Sequence, residues 1–208
     1  MRRYDLVICG LGGQGVMTIS HVLAAAAARE GLKVKLFEGT GISQRGGGVF
    51  AFVRFGGNQS PKIPSGRADA IVSLEMSEIA RVIGYLKPEG EVWASSGRID
   101  GYYTRLHPEL YPSQESIVSM VGLRTSRLRI ISADRLAEES GSPRAANMVM
   151  LGAFARGSTV LEKDSIIRAI EETNRRFAPS NLKAFREGYG SAGGEGVGVS
   201  NNSRKGIV

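Results

Sequence analysis

Short apolar runs alternate with stretches of helical period along the first half of the chain. Leu6-Val7-Ile8-Cys9 is a β-branched strand run that passes through Gly10-Leu11-Gly12-Gly13-Gln14-Gly15 into a helix from Gln14 to about Glu30. In that helix Val16, Ile19, Val22 and Leu23 recur on one side, and Ala24 to Ala28 permit close packing. Gly31 ends it. Lys33 to Glu38 reads as a second strand, and Val49 to Phe55, alternating with aromatics, as a third. Ala68 to Leu74 is the next strand. A helix then opens at Glu75-Met76-Ser77-Glu78 and carries Ile79, Val82, Ile83 and Leu86 as its apolar stripe. Lys87-Pro88-Glu89-Gly90 reads as a turn before a strand that begins at Val92-Trp93-Ala94.

The second half is more helical. Ser96 to Pro112 has no clear period and reads as an irregular excursion suited to contacting a partner. Ser113 to Val121 is a helix, with Ser113 placed to cap it and Glu115 in its first turn. Arg127 to Ala133 is a strand, and Asp134 is expected to cap a short helix from Arg135 to Ser140. Pro143 opens an apolar helix to about Arg156, buried through Met148, Val149, Leu151 and Phe154, with Gly152 and Ala153 small enough for a close contact such as one between subunits. Lys163 or Asp164 to Phe177 is amphipathic, with Ile166, Ile167, Ile170 and Phe177 on its apolar side, and Ser180 to about Tyr189 is the last helix. The alternation predicts one three-layer α/β/α domain over residues 1–189, with a mostly parallel, Rossmann-like sheet. Residues 190–208 are rich in glycine, serine and asparagine and are expected to be a disordered tail.

Composition narrows the function classes. With 42% hydrophobic and 23% charged residues the chain has the make-up of a globular protein. No apolar run approaches membrane-spanning length, and the first strand begins too early to leave room for a signal peptide, so a cytoplasmic location is expected. The net charge is +7, but the cations are scattered over positions such as Arg29, Lys33, Arg54, Lys62 and Arg67 without clustered aromatics. That pattern argues against nucleic acid and fits an anionic cofactor or an acidic partner. The single cysteine, Cys9, excludes an internal disulfide or a thiolate-held iron–sulfur cluster, and its strand position suits a buried filler. No metal-ligand spacing surrounds His21, which reads as a packed or partly exposed helical histidine.

The candidate chemistry lies in two glycine turns. Gly10, Gly12 and Gly15 have the G-x-G-x-x-G spacing that lets a chain turn, lets a ligand approach the backbone and lets a helix pack on its strand. Gly12, Gly13 and Gln14 are candidate donors to an anion, as are the amides at the start of the following helix. A tight β–α turn needs small residues even with no ligand. After the second strand comes Gly41-Ile42-Ser43-Gln44-Arg45-Gly46-Gly47, polar and cationic, in which Ser43, Gln44 and Arg45 could reach phosphates or a partner. A mobile surface loop is the plainer reading. Both turns leave carboxyl ends of strands expected to be neighbours. Glu38 stands where a nicotinamide domain would hold a ribose, which keeps open a stand-alone NAD(P)- or FAD-binding oxidoreductase.

The G-L-G-G-Q-G of Gly10 to Gly15, the G-I-S-Q-R-G-G of Gly41 to Gly47 and the V-F-A-F-V-R-F-G of Val49 to Gly56 together resemble the gamma-type subunit or domain of 2-oxoacid:ferredoxin oxidoreductases. The nearest form is the separate short chain of the indolepyruvate enzymes. Asn147 to Ala153, Asn181, Ala184-Phe185 and Gly188 extend the resemblance, which covers roughly residues 4 to 189. It implies a non-catalytic subunit of a complex that oxidatively decarboxylates indolepyruvate or other aryl pyruvates to an acyl-coenzyme A, with ferredoxin as acceptor. Thiamine diphosphate and iron–sulfur clusters would sit on a large partner chain, since no Gly-Asp-Gly motif of the thiamine-binding kind occurs here. This chain would hold no catalytic residue or metal, would be inactive alone, and would close the active-site cleft, with Gly10, Gly12, Gly13, Gln14, Gly15, Ser43, Gln44, Arg45, Gly46 and Gly47 as the residues for coenzyme A. A purely structural subunit is the alternative within the same resemblance.

Overall fold

In a computed structural model of the chain, residues 3–40, 47–57, 60–99, 105–173 and 175–192 are described. Six strands form one sheet in the order β2-β3-β1-β4-β5-β6: β1 (Tyr4–Leu11), β2 (Val34–Thr40), β3 (Gly48–Phe55), β4 (Ala68–Ser73), β5 (Leu86–Ser95) and β6 (Leu128–Ile131). The pairings β1–β4, β4–β5 and β5–β6 are parallel, while β3 runs antiparallel between β1 and β2. The sheet is therefore mostly parallel, as expected. β2 is not the neighbour of β1, because the chain doubles back through β3 and inserts that strand between them.

Helices cover both faces. α1 (Val16–Arg29), α4 (Ala133–Glu139), α5 (Ala146–Gly157), α6 (Lys163–Thr173) and α7 (Ala178–Ser191) contribute to one apolar layer with Leu6, Ile8, Val53 and Trp93. The other layer joins Val7, Phe52, Ile71 and Val92 to α2 (Ile79–Val82) and α3 (Gln114–Gly122). Alternate β1 side chains thus enter opposite cores, which is why its run is continuously apolar. Trp93 is fully buried, edge-on to Phe154, with the Arg129 guanidinium 4.5 Å from its ring centre. Burying each such large side chain contributes about 1.5–3 kcal/mol.

Several local expectations change. The helix expected from Glu75 to Leu86 is broken into a 3-10 turn at Met76–Glu78, the four-residue α2 and a second 3-10 turn at Ile83–Tyr85. Its β-branched residues and Gly84 give little intrinsic helical support. The Lys87-Pro88-Glu89-Gly90 turn lies inside β5 as a bulge: between the pairs Ala68–Leu86 and Ala70–Glu91, β5 carries extra residues, and Glu89 takes a φ of 61°. Asp134 lies within the first turn of α4 rather than at its cap, because the helix begins at Ala133. Phe177 falls beyond α6 and is half exposed. Gly152 admits α7 of the same chain: a Cβ there would lie 2.0 Å from the Phe185 carbonyl oxygen. The Ser113 cap is as expected, its hydroxyl accepting from Ser116 N–H at 3.2 Å. α7 runs to Ser191, and the rest of the expected tail, from residue 193, lies outside the described residues.

Candidate functional site

β1 and β4 are parallel neighbours whose connections leave in opposite directions, β1 into α1 on one face and β4 into the turn before α2 on the other. In open α/β sheets the crevice beyond the carboxyl ends of such a pair is the usual ligand site. The first glycine turn occupies it. Gln14 N–H donates to the Leu11 carbonyl at 3.1 Å, and Gly13 and Gly15 take φ values of 97° and 90°, a region side-chain-bearing residues adopt only with strain. Gly15 is the N-cap of α1, with no side-chain cap and no acidic residue in the first turn, so the amides of Val16, Met17 and Thr18 have no intrahelical acceptor.

The first glycine turn meets the residue that ends the second glycine stretch. Leu11 pairs with Gly48 at the end of the β1–β3 ladder, and Gly12 N–H donates to the Gly47 carbonyl at 3.1 Å. Of the predicted site residues, Gly10, Gly12, Gly13, Gln14, Gly15 and Gly47 are therefore brought together, while Ser43, Gln44, Arg45 and Gly46 lie outside the described residues. Their roles differ. Gly10 is in the strand, where a Cβ would lie 2.8 Å from Gln14 Oε1 and 3.0 Å from Leu74 Cβ. Gly12 N–H is committed to Gly47. Gln14 Oε1 accepts from Leu11 N–H at 2.6 Å and its Nε2 donates to the Leu74 carbonyl at 3.0 Å, so its amide fastens the turn to β4. A Cβ on Gly15 would lie 2.2 Å from Asn147 Nδ2, which sets α5 against the turn. The amides at the start of α1 remain without an intrahelical acceptor.

Two carboxylates whose burial the sequence pattern does not reveal sit at the same edge. Glu75 is fully buried and accepts from Ile99 N–H at 2.8 Å, from Ser77 Oγ at 3.3 Å and from the Tyr111 hydroxyl. Burial and the Glu75 carboxylate together push the Tyr111 phenol well up. Glu78 is 7% exposed; its carboxylate lies against Gly48, where a Cβ would be 2.1 Å from Oε2, and Arg81 Nε donates to it at 3.3 Å. Burial raises the Glu78 carboxyl above the usual carboxylate range, against the lowering effect of Arg81. The available signal was an E-x-x-E directly after a buried parallel strand.

Glu38 is occupied otherwise than a ribose-binding acid: its Oε1 accepts from Ser20 Oγ at 2.9 Å and faces His21 Nε2 at 3.1 Å, tying β2 to α1. Cys9 is buried, its Sγ 3.3 Å from Ser73 Oγ. A cavity of about 680 Å³ opens at the opposite edge beside Tyr4, Asp69, Lys87, Glu91 and Arg127, where Asp69 pairs with Lys87 and Glu91 with Arg127. Among the described residues no cluster of three or more His, Cys, Asp or Glu side chains is placed to hold a metal, and no helix is long and apolar enough to cross a membrane.

The family model for pyruvate ferredoxin/flavodoxin oxidoreductase matches residues 5–191. The indolepyruvate oxidoreductase subunit IorB of Methanothermobacter thermautotrophicus is 33% identical over 191 residues, covering 91% of this chain and 97% of its own length. Among solved structures, the gamma subunit of a keto/oxoacid ferredoxin oxidoreductase from Geobacter sulfurreducens superposes with a TM-score of 0.67 at 23% identity, covering 91% of this chain and 98% of that one. The 2-oxoglutarate:ferredoxin oxidoreductase of Magnetococcus marinus, solved with 2-oxoglutarate, coenzyme A and succinyl-CoA bound, superposes with a TM-score of 0.71 at 20% identity, covering 93% of this chain but 31% of that one. Both structural likenesses concern the fold.

Proposed function

The chain belongs to the pyruvate ferredoxin/flavodoxin oxidoreductase family, as a subunit of a 2-oxoacid:ferredoxin oxidoreductase, and on that basis we propose that its glycine-bearing edge closes the active-site cleft of a larger catalytic partner and helps to hold coenzyme A there. The reaction of the complex would be oxidative decarboxylation of indolepyruvate or another aryl pyruvate to the acyl-coenzyme A, with ferredoxin reduced. Thiamine diphosphate and the iron–sulfur clusters would reside on the partner; when bound, they supply the decarboxylation and the electron transfer. Cys9 is this chain's single cysteine, buried, and unsuited to cluster ligation.

The observation that carries the reading is the Gly12–Gly47 hydrogen bond, which ties the first glycine turn, at the carboxyl end of β1, to the sequence-distant residue that enters β3. A backbone surface of this kind lets an extended ligand lie close, while the open first-turn amides of α1 favour an anionic group. Gly13, Gly15 and the α1 amides would face the ligand, Gly10, Gly12 and Gln14 would hold the turn in shape, and Ser43, Gln44 and Arg45 would reach its phosphates. In the Magnetococcus marinus structure the same fold forms part of a longer chain solved with coenzyme A bound, which makes coenzyme A the ligand to test.

The test is anaerobic purification of the tagged chain from its native cells, with iron and thiamine diphosphate assayed on whatever co-elutes, followed by steady-state kinetics of the complex with Arg45→Ala. A rise in the KM for coenzyme A in an intact complex is expected. Unchanged KM and kcat would remove the ligand role and leave the edge as a docking surface. The structure weighs against the stand-alone dinucleotide reading, since Glu38 is engaged by Ser20 and His21 and β3 separates β2 from β1.

A further inference from the structure

Among the described residues the exposed large apolar side chains are Ile99, Leu106, Leu110, Leu123 and Phe177. Single exposed hydrophobics are ordinary, but here three of the five belong to one segment, the excursion that follows β5. It leaves the carboxyl end of that strand, the edge that also carries the glycine turns.

The described ends of the segment are tied to the body of the fold at Ser96, Ile99 and Tyr111. Ser96 N–H donates to the Ile131 carbonyl at 2.9 Å. The buried Glu75 carboxylate binds Ile99 N–H and the Tyr111 hydroxyl, which stand in the chain on either side of Leu106 and Leu110. The Arg98 guanidinium lies 4.0 Å from the centre of the Tyr111 ring, and a Cβ on Gly97 would collide with the Asp134 carboxylate. A buried carboxylate is costly unless its oxygens are bonded, and this one is bonded largely by the two ends of a surface segment. Ile99, bonded through its own N–H, and Leu110, which adjoins the anchored Tyr111 and donates to the His107 carbonyl, lose little backbone freedom on docking, which is what makes an exposed apolar group an effective anchor.

Charge points to the nature of the occupant. Among the segment's described residues Arg98, Arg105 and His107 are basic, while the acid, Glu109, lies 3.3 Å from His107. The whole chain carries +7. A complementary surface would be apolar at its centre and acidic at its rim.

We propose that Ile99, Leu106 and Leu110, on a segment that Glu75 anchors at Ile99 and Tyr111, form the surface by which this chain docks on its catalytic partner, against an apolar patch rimmed with carboxylates. The proposal rests on the subunit reading above. It is tested by anaerobic co-purification of the iron- and thiamine-bearing partner with tagged wild type, with the Leu106→Asp/Leu110→Asp double variant, and with Leu123→Asp. Leu123 is 85% exposed but lies at the far end of α3, toward the opposite edge of the sheet. The double variant should keep the wild-type melting temperature and bind the partner about tenfold or more weakly, while Leu123→Asp binds normally. Equal retention by all three proteins, or equal loss in both variants, overturns the docking surface. Failure of the wild type itself to bring down such a partner overturns the subunit reading instead.

Discussion

Gln14 Nε2 donates to the Leu74 carbonyl at 3.0 Å, so the turn after β1 is bolted to the end of β4 across the point where the two strands part. The same side chain closes its own turn by accepting from Leu11 N–H at 2.6 Å. Gln14→Leu keeps the size and removes both bonds, leaving a partly buried donor and acceptor unpaired. The expected loss is about 1–3 kcal/mol, read as a lower urea midpoint at unchanged slope. A wild-type midpoint would show that the glycines alone shape the turn.

Glu78 gives the chain a pH dependence of its own. Its carboxyl titrates above the ordinary range because burial disfavours the anion, so the folded chain binds this proton more tightly than the unfolded one. The group's penalty is absent below the ordinary carboxylate value, about 4.3, and appears as pH rises through the raised one. Glu78→Gln removes the titration. Relative to wild type it should be more stable above that window, with the difference shrinking as pH falls through it, as urea midpoints at a series of pH values would show. Parallel midpoint-against-pH curves for the two proteins would mean that Glu78 is not the source.

The first glycine turn was legible because its physics is local: left-handed Gly13 and Gly15 and a helix starting straight after them leave few alternatives for a G-L-G-G-Q-G sequence. The mostly parallel sheet was legible for a similar reason, from apolar runs alternating with helical ones. Strand order was not, since nothing within β3 says that it inserts between β1 and β2 rather than beyond them. The bulge in β5 reads as a turn because Pro88, Glu89 and Gly90 have turn chemistry, and only the pairing of Leu86 and Glu91 with β4 on either side shows that the strand runs on past them. The role of Glu75 is hidden in the sequence for the same kind of reason. Its partners Ile99 and Tyr111 lie 24 and 36 residues away, a distance at which spacing carries no information.

Cys9 should be inert while the chain is folded. Burial pushes its thiol up to about 12, and the sulfur lies beside Ser73 in the apolar layer under α2 and α3. Thiolate is the reactive form, so labelling by a disulfide reagent at pH 8 should be undetectable on the folding timescale and should appear together with unfolding as urea is raised. Rapid labelling in native buffer would reveal a local opening of the β1–β4 join.

The crossing of α5 and α7 sets the sharpest steric limit in the helical layer. A Cβ on Gly188 would lie 1.9 Å from the Val149 carbonyl oxygen, and the obstacle is backbone, which cannot swing aside as a side chain does. Gly188→Ala must therefore push the two helices apart, at an expected cost of about 1–3 kcal/mol or more. Gly190, two residues on in the same helix, meets nothing within 4 Å. There alanine removes only the backbone freedom of glycine, and Gly190→Ala should leave stability unchanged or raise it by up to about 1 kcal/mol. Thermal melts of the two variants beside wild type decide the matter: opposite signs, or a loss at 188 against no change at 190, mark a contact limit, and equal losses would instead point to a shared demand for glycine at the end of α7.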